Sequence, residues 1–300
     1  MLASLERISG NLHADFDRDR APLVTVESGG RVRFACWDVA WGMENHNAEA
    51  GPRAKAEKTG DGPCLTGPVA VRGASPGRVL KIHLEEVTPG PWGWTLSGGT
   101  GFFNEELNRQ LGVDQDPFVL RWQIENGWAT SHLGQRLAIA PFPGMLGMPP
   151  DQPGPQSGWA PRRTGGNLDC RYLQAGNTLY LPIEVEGGLL SCGDGHALQA
   201  DGECAGSAIE CPMIVTVQLE VVDLAIDQPV IEIPGGWVVL GLGDSLEAAQ
   251  VQALGGMLDW MAPRLGLTRS QTLALASLQC HLHITQVVNG VVGVQAVWHA

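Results

Sequence analysis

The sequence predicts a mainly β protein, with a β-rich body over residues 1–225 and a smaller α+β part over residues 226–300. The 300 residues include 40 glycines and 20 prolines, which favour short strands joined by turns over long helices. Apolar residues make up 44% of the chain and charged residues only 17%, as is typical of a compact protein with a buried core. The third observation is the alternation of apolar and polar residues along the body.

That alternation recurs as a strand-turn-strand unit. In residues 22–39 apolar residues alternate on both sides of a Ser-Gly-Gly turn, which predicts a β-hairpin. The same pattern is found at residues 67–87, 118–132 and 176–193. Residues 213–222 have strong β propensity and predict one further long strand.

The part after residue 234 has a different pattern. Apolar residues recur at helical spacing behind Ser245, which is a plausible N-cap, and predict a first helix. A second helix follows, capped by Thr268 or Ser270, and continues into a final strand.

Charge and cysteine content exclude several classes of function. The formal net charge is −13 and the 19 basic residues are scattered, which argues against nucleic-acid binding and favours a neutral or cationic substrate. No apolar run reaches the length of about 20 residues that a membrane span needs. Glu6 and Arg7 interrupt any signal-peptide core, and seven cysteines without a CxxC pair are typical of reduced thiols. We therefore expect a cytoplasmic protein.

Residues 193–212, GDGHALQADGECAGSAIECP, form an acid-rich segment between two apolar stretches. Asp194 and His196 are two residues apart, so in a strand their side chains share a face and offer an oxygen and a nitrogen to a divalent metal. Glu203 and Glu210 follow closely enough to return over the same site. The segment therefore predicts a metal centre with a nearby base.

Other interpretations of the segment stay open. Gly-Asp-Gly and Asp-Gly-Glu are also ordinary turn sequences. The acids could hold a purely structural calcium ion, or Cys192 or Cys204 could act as a nucleophile without any metal. The chain contains no HExxH, GxSxG or phosphate-binding loop motif. Trp92 and Trp94 could either line a pocket or fill the core.

The acid-rich segment closely resembles the signature of the acetamidase/formamidase family, in which G-D-x-H-x-x-Q-x-D-G-E precedes A-I-E. Six other stretches are similar to the family in the same order, namely residues 13–42, 67–87, 92–95, 143–150, 165–194 and 284–298. The resemblance thus covers most of the chain. It implies a distorted jelly-roll-like β-sandwich body with a smaller α+β part, and a cytoplasmic, dimeric hydrolase of small aliphatic amides.

Carried over by position, the resemblance implies a set of site residues: His13, Asp38, Asp194, His196, Glu203 and Glu210, with Asn167 and Asp169 as neighbours. We expect a divalent metal, zinc with calcium as the alternative, on Asp38, Asp194 and His196. Glu203 would act as general base and then acid, and Glu210 as a further ligand or an orienting residue. His13 would be a ligand or would polarise the carbonyl group.

One departure from the family concerns substrate identity. Ala200 stands where the family signature has a glycine, and a left-handed backbone there would cost alanine about 1 kcal/mol. A lactamase that opens a cyclic amide, such as a γ-lactam, uses the same chemistry and is the first alternative. A non-catalytic β protein that binds a small ligand is the second.

Overall fold

The computed structural model of the chain describes residues 2–42, 56–99, 105–113 and 116–299. Strands dominate the described residues, and the longer helices lie near the C-terminal end. The strands are β1 (Leu2–Leu5), β2 (Leu12–His13), β3 (Asp15–Phe16), β4 (Val24–Val26), β5 (Gly30–Cys36), β6 (Leu65–Val71), β7 (Val79–Pro89), β8 (Trp92–Ser97), β9 (Phe118–Glu125), β10 (Trp128–Ser131), β11 (Arg136–Ala138), β12 (Phe142–Gly147), β13 (Gln156–Ser157), β14 (Gly165–Asn167), β15 (Thr178–Pro182), β16 (Leu190–His196), β17 (Glu210–Cys211), β18 (Met213–Val222), β19 (Val230–Ile233), β20 (Gly236–Gly243), β21 (Cys280–Gln286) and β22 (Val292–His299). The helices are α1 (Glu105–Leu111), α2 (Leu246–Leu265) and α3 (Arg269–Gln279), with one short 3₁₀ turn at Ser9–Asn11.

Two large sheets organise these strands. The nine-stranded sheet has the order β1-β5-β18-β7-β15-β19-β20-β22-β21. The eleven-stranded sheet has the order β11-β10-β9-β8-β17-β16-β12-β14, and β6 joins it by pairing with β16, β2 and β4. β3 and β13 form a separate pair. Mainly β architecture with large sheets confirms the predicted fold class.

The main core lies between the two sheets. Phe34 and Val215 of the nine-stranded sheet and Leu146 and Leu190 of the eleven-stranded sheet belong to one cluster of fully buried side chains. Burying each such side chain stabilises the fold by roughly 1.5–3 kcal/mol. β5 and β18 alternate between buried and less buried residues over part of their length, whereas β12 and β16 are buried throughout.

Of the four predicted strand-turn-strand units, the one at residues 118–132 is a hairpin, in which β9 and β10 pair antiparallel. In the other three units the two strands belong to different sheets. β4 pairs with β6 in the eleven-stranded sheet, whereas β5 pairs with β1 and β18 in the nine-stranded sheet. Likewise β6 and β16 belong to the eleven-stranded sheet, and their chain neighbours β7 and β15 belong to the nine-stranded sheet. The hairpin prediction for residues 22–39 was therefore wrong. An arch between two packed sheets buries alternate residues just as a hairpin does, so the pattern cannot distinguish them.

The C-terminal helices agree with the prediction. Ser245 caps α2 by accepting a hydrogen bond from Ala248 N at 3.2 Å, and Thr268 caps α3 in a capping box with Gln271. Both helices cover the face of the nine-stranded sheet that points away from the sandwich core. The division of the chain near residue 225 stays a prediction; the residues before it supply five strands of this sheet and those after it supply four.

No helix among the described residues combines the length and the apolar character that crossing a lipid bilayer requires.

Candidate active site

The acid-rich segment begins on β16, at a break in the eleven-stranded sheet. β16 pairs with β12 along one edge, while its other edge pairs first with β6, up to Gly193, and then with β17, from Gly195. Asp194 lies between these two partners with a left-handed φ of 58°. His196 follows opposite Glu210 of β17 and packs edge-on against Phe142 at a ring-centre distance of 5.1 Å.

Five side chains meet at this break and are called the buried cluster below: Asp169, Asp194, His196, Glu203 and Glu210. His196 lies at its centre, with Nε2 3.2 Å from Asp194 Oδ1 and 3.3 Å from Glu210 Oε1. On the other side of the ring, Nδ1 lies 3.9 Å from Asp169 Oδ1. The ligand atoms of Asp169, His196 and Glu203 lie within 4.8 Å of one another, as do those of Asp194, His196 and Glu210. The imidazole thus divides the cluster into two groups.

Two members of the buried cluster come from loops and have left-handed backbones, with φ of 47° at Asp169 and 45° at Glu203. Asn289 Nδ2 donates to Asp169 Oδ2 at 2.5 Å, and Gln199 Nε2 donates to Asp169 O at 2.9 Å. Gly202 N donates to Thr285 O at 3.0 Å, which ties the Glu203 loop to β21. A left-handed backbone at a residue other than glycine costs about 1–3 kcal/mol, and such strain is concentrated at functional sites.

The electrostatics follow from burying four carboxyl groups together. Burial, and then the charge of Asp194, raises the pKa of Asp169 to about 7. Burial, and then Glu210, raises the pKa of Asp194 to about 7 against the opposing effect of His196. Burial and then Asp169 raise the pKa of Glu203 well above its usual range. Burial alone would lower the pKa of His196, but Glu210 and Asp194 outweigh it and raise that pKa well above the ordinary value.

The donor atoms of the buried cluster fit a divalent cation. In the described part of the chain, no arginine or lysine forms an ion pair with these four carboxyl groups. Six cluster atoms are buried and make no well-aligned hydrogen bond: Asp169 Oδ1, Asp194 Oδ1, His196 Nδ1, His196 Nε2, Glu203 Oε2 and Glu210 Oε2. Leaving such atoms unsatisfied is costly, whereas a cation on carboxylate and imidazole ligands satisfies them and offsets the negative charge.

The buried cluster opens into a cavity of about 430 Å³. Its wall consists of Val39, Ala40, Trp41, Lys58, Asp61, Gly62, Trp94, Leu96, Trp159, Asn167, Asp169, Asp194, Glu203, Gly206, Ser207, Glu210, Val288 and Asn289. Of the two tryptophans singled out in the sequence, Trp94 is part of this wall and Trp92 is not. A partly apolar cavity with a few convergent polar groups is the usual form of a small-molecule site.

Two residues predicted from the family lie outside both groups of the buried cluster. His13 Nδ1 is 2.7 Å from the carbonyl oxygen of Asp15, so it carries the proton, and Nε2 then accepts from the Ser191 hydroxyl at 2.9 Å. Its ring nitrogens are both used within the protein. Asp38 is fully buried and accepts from Ala40 N at 2.9 Å, in the turn that leads to the cavity wall.

Several features of the site were not predicted. Gly144 lies beneath the buried cluster, because a Cβ there would be 2.6 Å from Asp194 Oδ2 and 2.7 Å from Asp169 Oδ1. Asn289 comes from the turn after β21, far away in sequence. A residue pattern gives no sign of either contact, because both depend on how distant loops meet. Ala200 does not have a left-handed φ, so the expected cost of replacing glycine with alanine does not arise there.

The thiols are poorly placed for nucleophilic chemistry. Cys192 is fully buried in the main core, and burial followed by the neighbouring Cys36 raises the pKa of its thiol well above the usual value. Cys204 is exposed and is not part of the cavity wall. Ser207 lies in the wall, but its Oγ is engaged with the backbone of Leu96 at 2.8 and 2.9 Å. These contacts leave the acids and His196 as the chemically available groups.

Replacing Gly144 with alanine should disrupt the buried cluster while leaving the fold intact. The new methyl group would push against the carboxylates of Asp194 and Asp169, and we expect affinity for Zn²⁺ to fall about 10- to 100-fold by calorimetric titration. Gly10→Ala is the matched control, because a Cβ at Gly10 meets nothing within 4 Å. Equal Zn²⁺ affinity in Gly144→Ala and the control would contradict the crowded geometry.

The His13 environment predicts a pH dependence of stability. Burial and then Arg20 lower the pKa of His13 from 6.5 to about 4, so the unfolded chain binds a proton that the folded protein does not. Between pH 6.5 and 4 this histidine should therefore cost up to about 3 kcal/mol of unfolding free energy. We expect His13→Gln to lose that part of the acid destabilisation in urea unfolding measured from pH 7 to 4. If the unfolding free energies of the unaltered protein and His13→Gln changed with pH in parallel, the effect could not be assigned to His13.

The chain is similar to proteins of known family. The model of the acetamidase/formamidase family matches residues 4–159 and 156–297. An acetamidase of Mycolicibacterium smegmatis is 25% identical over 256 residues, which are 64% of this chain and 61% of the relative. The chain therefore spans about three fifths of the length of that curated relative.

Solved structures resemble the whole chain. A predicted acetamidase/formamidase of Thermoanaerobacter tengcongensis has a TM-score of 0.87 at 24% identity, over 99% of this chain and 95% of the other. An acetamidase of Bacillus halodurans has a TM-score of 0.84 at 25% identity, over 99% of this chain and 97% of the other. With a family model matched along nearly its full length, the chain belongs to the acetamidase/formamidase family.

Proposed function

We propose that the protein hydrolyses the C–N bond of an uncharged small-molecule amide, giving a carboxylate and ammonia. The observation that carries this proposal is the buried cluster of four carboxyl groups around His196, beside a cavity of about 430 Å³. Amide hydrolysis needs an activated water, a polarised carbonyl group and a proton for the leaving nitrogen. Relatives named acetamidase and formamidase support the same reaction.

We assign the cation site to Asp194, Glu210 and Nε2 of His196. These atoms lie on one side of the ring, and Glu210 takes the position that the family resemblance gave to Asp38. One imidazole with carboxylates suits zinc better than calcium, which prefers oxygen ligands only. A bound zinc ion supplies Lewis acidity, which activates water and polarises a carbonyl group. On the opposite side of the ring, Asp169 Oδ1 lies 3.9 Å from Nδ1, on the side where a carboxylate commonly supports a metal-binding histidine.

Glu203 is the proton carrier in this assignment. Its Oε2 is buried without a hydrogen-bond partner, and the residue lies in the cavity wall. Its raised pKa makes the carboxylate a stronger base, which can take a proton from water and then return it to the leaving nitrogen. Asn167 Oδ1 is also buried without a partner in the described structure and can accept a hydrogen bond from the amide N–H₂. These two residues would orient the scissile amide.

The oligomeric state and the cellular compartment are also part of the proposal. We propose a cytoplasmic homodimer; seven free thiols agree with a reducing compartment. The lactamase alternative uses the same groups and differs only in the shape of the amide. A non-catalytic ligand-binding role gives no reason to bury a carboxyl group of raised pKa beside a cation site.

Replacing Glu203 with glutamine should reduce turnover about 10²- to 10⁴-fold with little change in zinc content, because the amide cannot carry a proton. Ammonia release from formamide and acetamide, and ring opening of a γ-lactam, measure the effect. Asp201→Asn is the matched control, since Asp201 lies in the same loop but bonds Gln295 and lies outside the cavity wall. Full activity in Glu203→Gln would remove Glu203 from the mechanism.

A further inference from the structure

The cavity is much larger than the amides after which the family is named. Acetamide has four heavy atoms and needs no more than about 120 Å³, even at the roughly 30 Å³ that a water molecule occupies in the liquid. The cavity measures about 430 Å³, which is within the range of sites for larger metabolites. Its volume therefore leaves room for a substantial acyl group beyond the scissile amide.

The wall beyond the buried cluster has a defined chemistry. Trp94 of β8 is paired with Glu210 of β17, so its indole lies beside the buried cluster. Leu96 follows two residues later on the same face of β8, and Val39 and Val288 add further apolar surface. This part of the cavity suits an aliphatic or ring-shaped group.

One polar group interrupts that apolar surface. Trp94 is 5% exposed, and its Nε1 has no hydrogen-bond partner in the described structure. An indole N–H only donates, and a buried donor without an acceptor costs free energy. Its counterpart Trp41, also in the wall, donates its N–H to Gly62 O at 2.9 Å. Trp94 is thus a cavity residue with its donor free for a ligand.

We propose that the substrate is an uncharged amide with a bulky acyl group that carries a hydrogen-bond acceptor, such as an ether or carbonyl oxygen, for Trp94 Nε1. This inference rests on the amide hydrolysis proposed above and adds the class of acyl group. Among the described residues of the wall Lys58 is the one basic side chain, and Asp61 lies in the same wall, so an acyl group that carries a carboxylate is disfavoured. The acceptor is therefore a neutral oxygen.

Two matched substrates test this inference. Tetrahydropyran carboxamides, with the ring oxygen at position 3 or 4, have nearly the shape of cyclohexanecarboxamide and differ in the acceptor. We expect both ring amides to exceed acetamide in kcat/KM by at least tenfold. We also expect the better tetrahydropyran isomer to exceed cyclohexanecarboxamide by about tenfold, the usual effect of one hydrogen bond to a buried donor. This comparison uses the unaltered protein.

Trp94→Phe then isolates the N–H while keeping an aromatic ring in the wall. The preference for the tetrahydropyran amide over the cyclohexane amide should fall close to one in this variant. A preference for acetamide over both ring amides would overturn the inference and leave amide hydrolysis standing, and so would an unchanged tetrahydropyran preference in Trp94→Phe. Absence of ammonia from every amide would instead refute the proposed function itself.

Discussion

Four carboxyl groups buried around a single imidazole impose the constraint on which the rest of the site depends. Among the described residues no guanidinium or ammonium group pairs with these carboxyl groups, and like charges cannot all ionise together when buried, so protons or a cation must neutralise them. The raised pKa values of Asp169 and Asp194, both about 7, express this constraint for the cation-free protein. The same arrangement offers possible ligands for a cation on one side of His196 and a carboxyl group of raised pKa, that of Glu203, on the other.

Backbone geometry maintains this unfavourable concentration of acids. Asp169, Asp194 and Glu203 all have left-handed backbones, and each lies at a point where the chain leaves regular pairing. Beneath them Gly144 provides space that no other residue could leave free. Burial of apolar side chains in the sandwich core and under the C-terminal helices stabilises the fold and offsets the cost of this strain. We infer that the large sheets serve to hold a few strained residues at fixed positions.

The sequence predicts much of this arrangement, and its failures have a physical cause. The mainly β class, the caps at Ser245 and Thr268 and the Asp194–His196 pair all depend on local spacing, which a sequence displays. The hairpin over residues 22–39 failed because alternation reports which residues are buried and not which strand is the partner. The roles of His13 and Asp38 were assigned by position in a family and stay predictions; both side chains lie outside the two groups around His196. Contacts such as Asn289 to Asp169 join distant loops, and no local pattern encodes them.

We propose that the buried cluster holds a divalent cation that the reaction uses. The most direct measurement is metal content and ammonia release of the same purified sample, before and after dialysis against a chelator and after return of zinc. We expect about one zinc ion per chain, loss of activity when the metal is removed and recovery when zinc returns. The Asp194→Asn variant should hold no zinc and show no activity under any of these conditions. Full amide hydrolysis by metal-free protein would contradict it, and would make the four acids and His196 a proton relay alone.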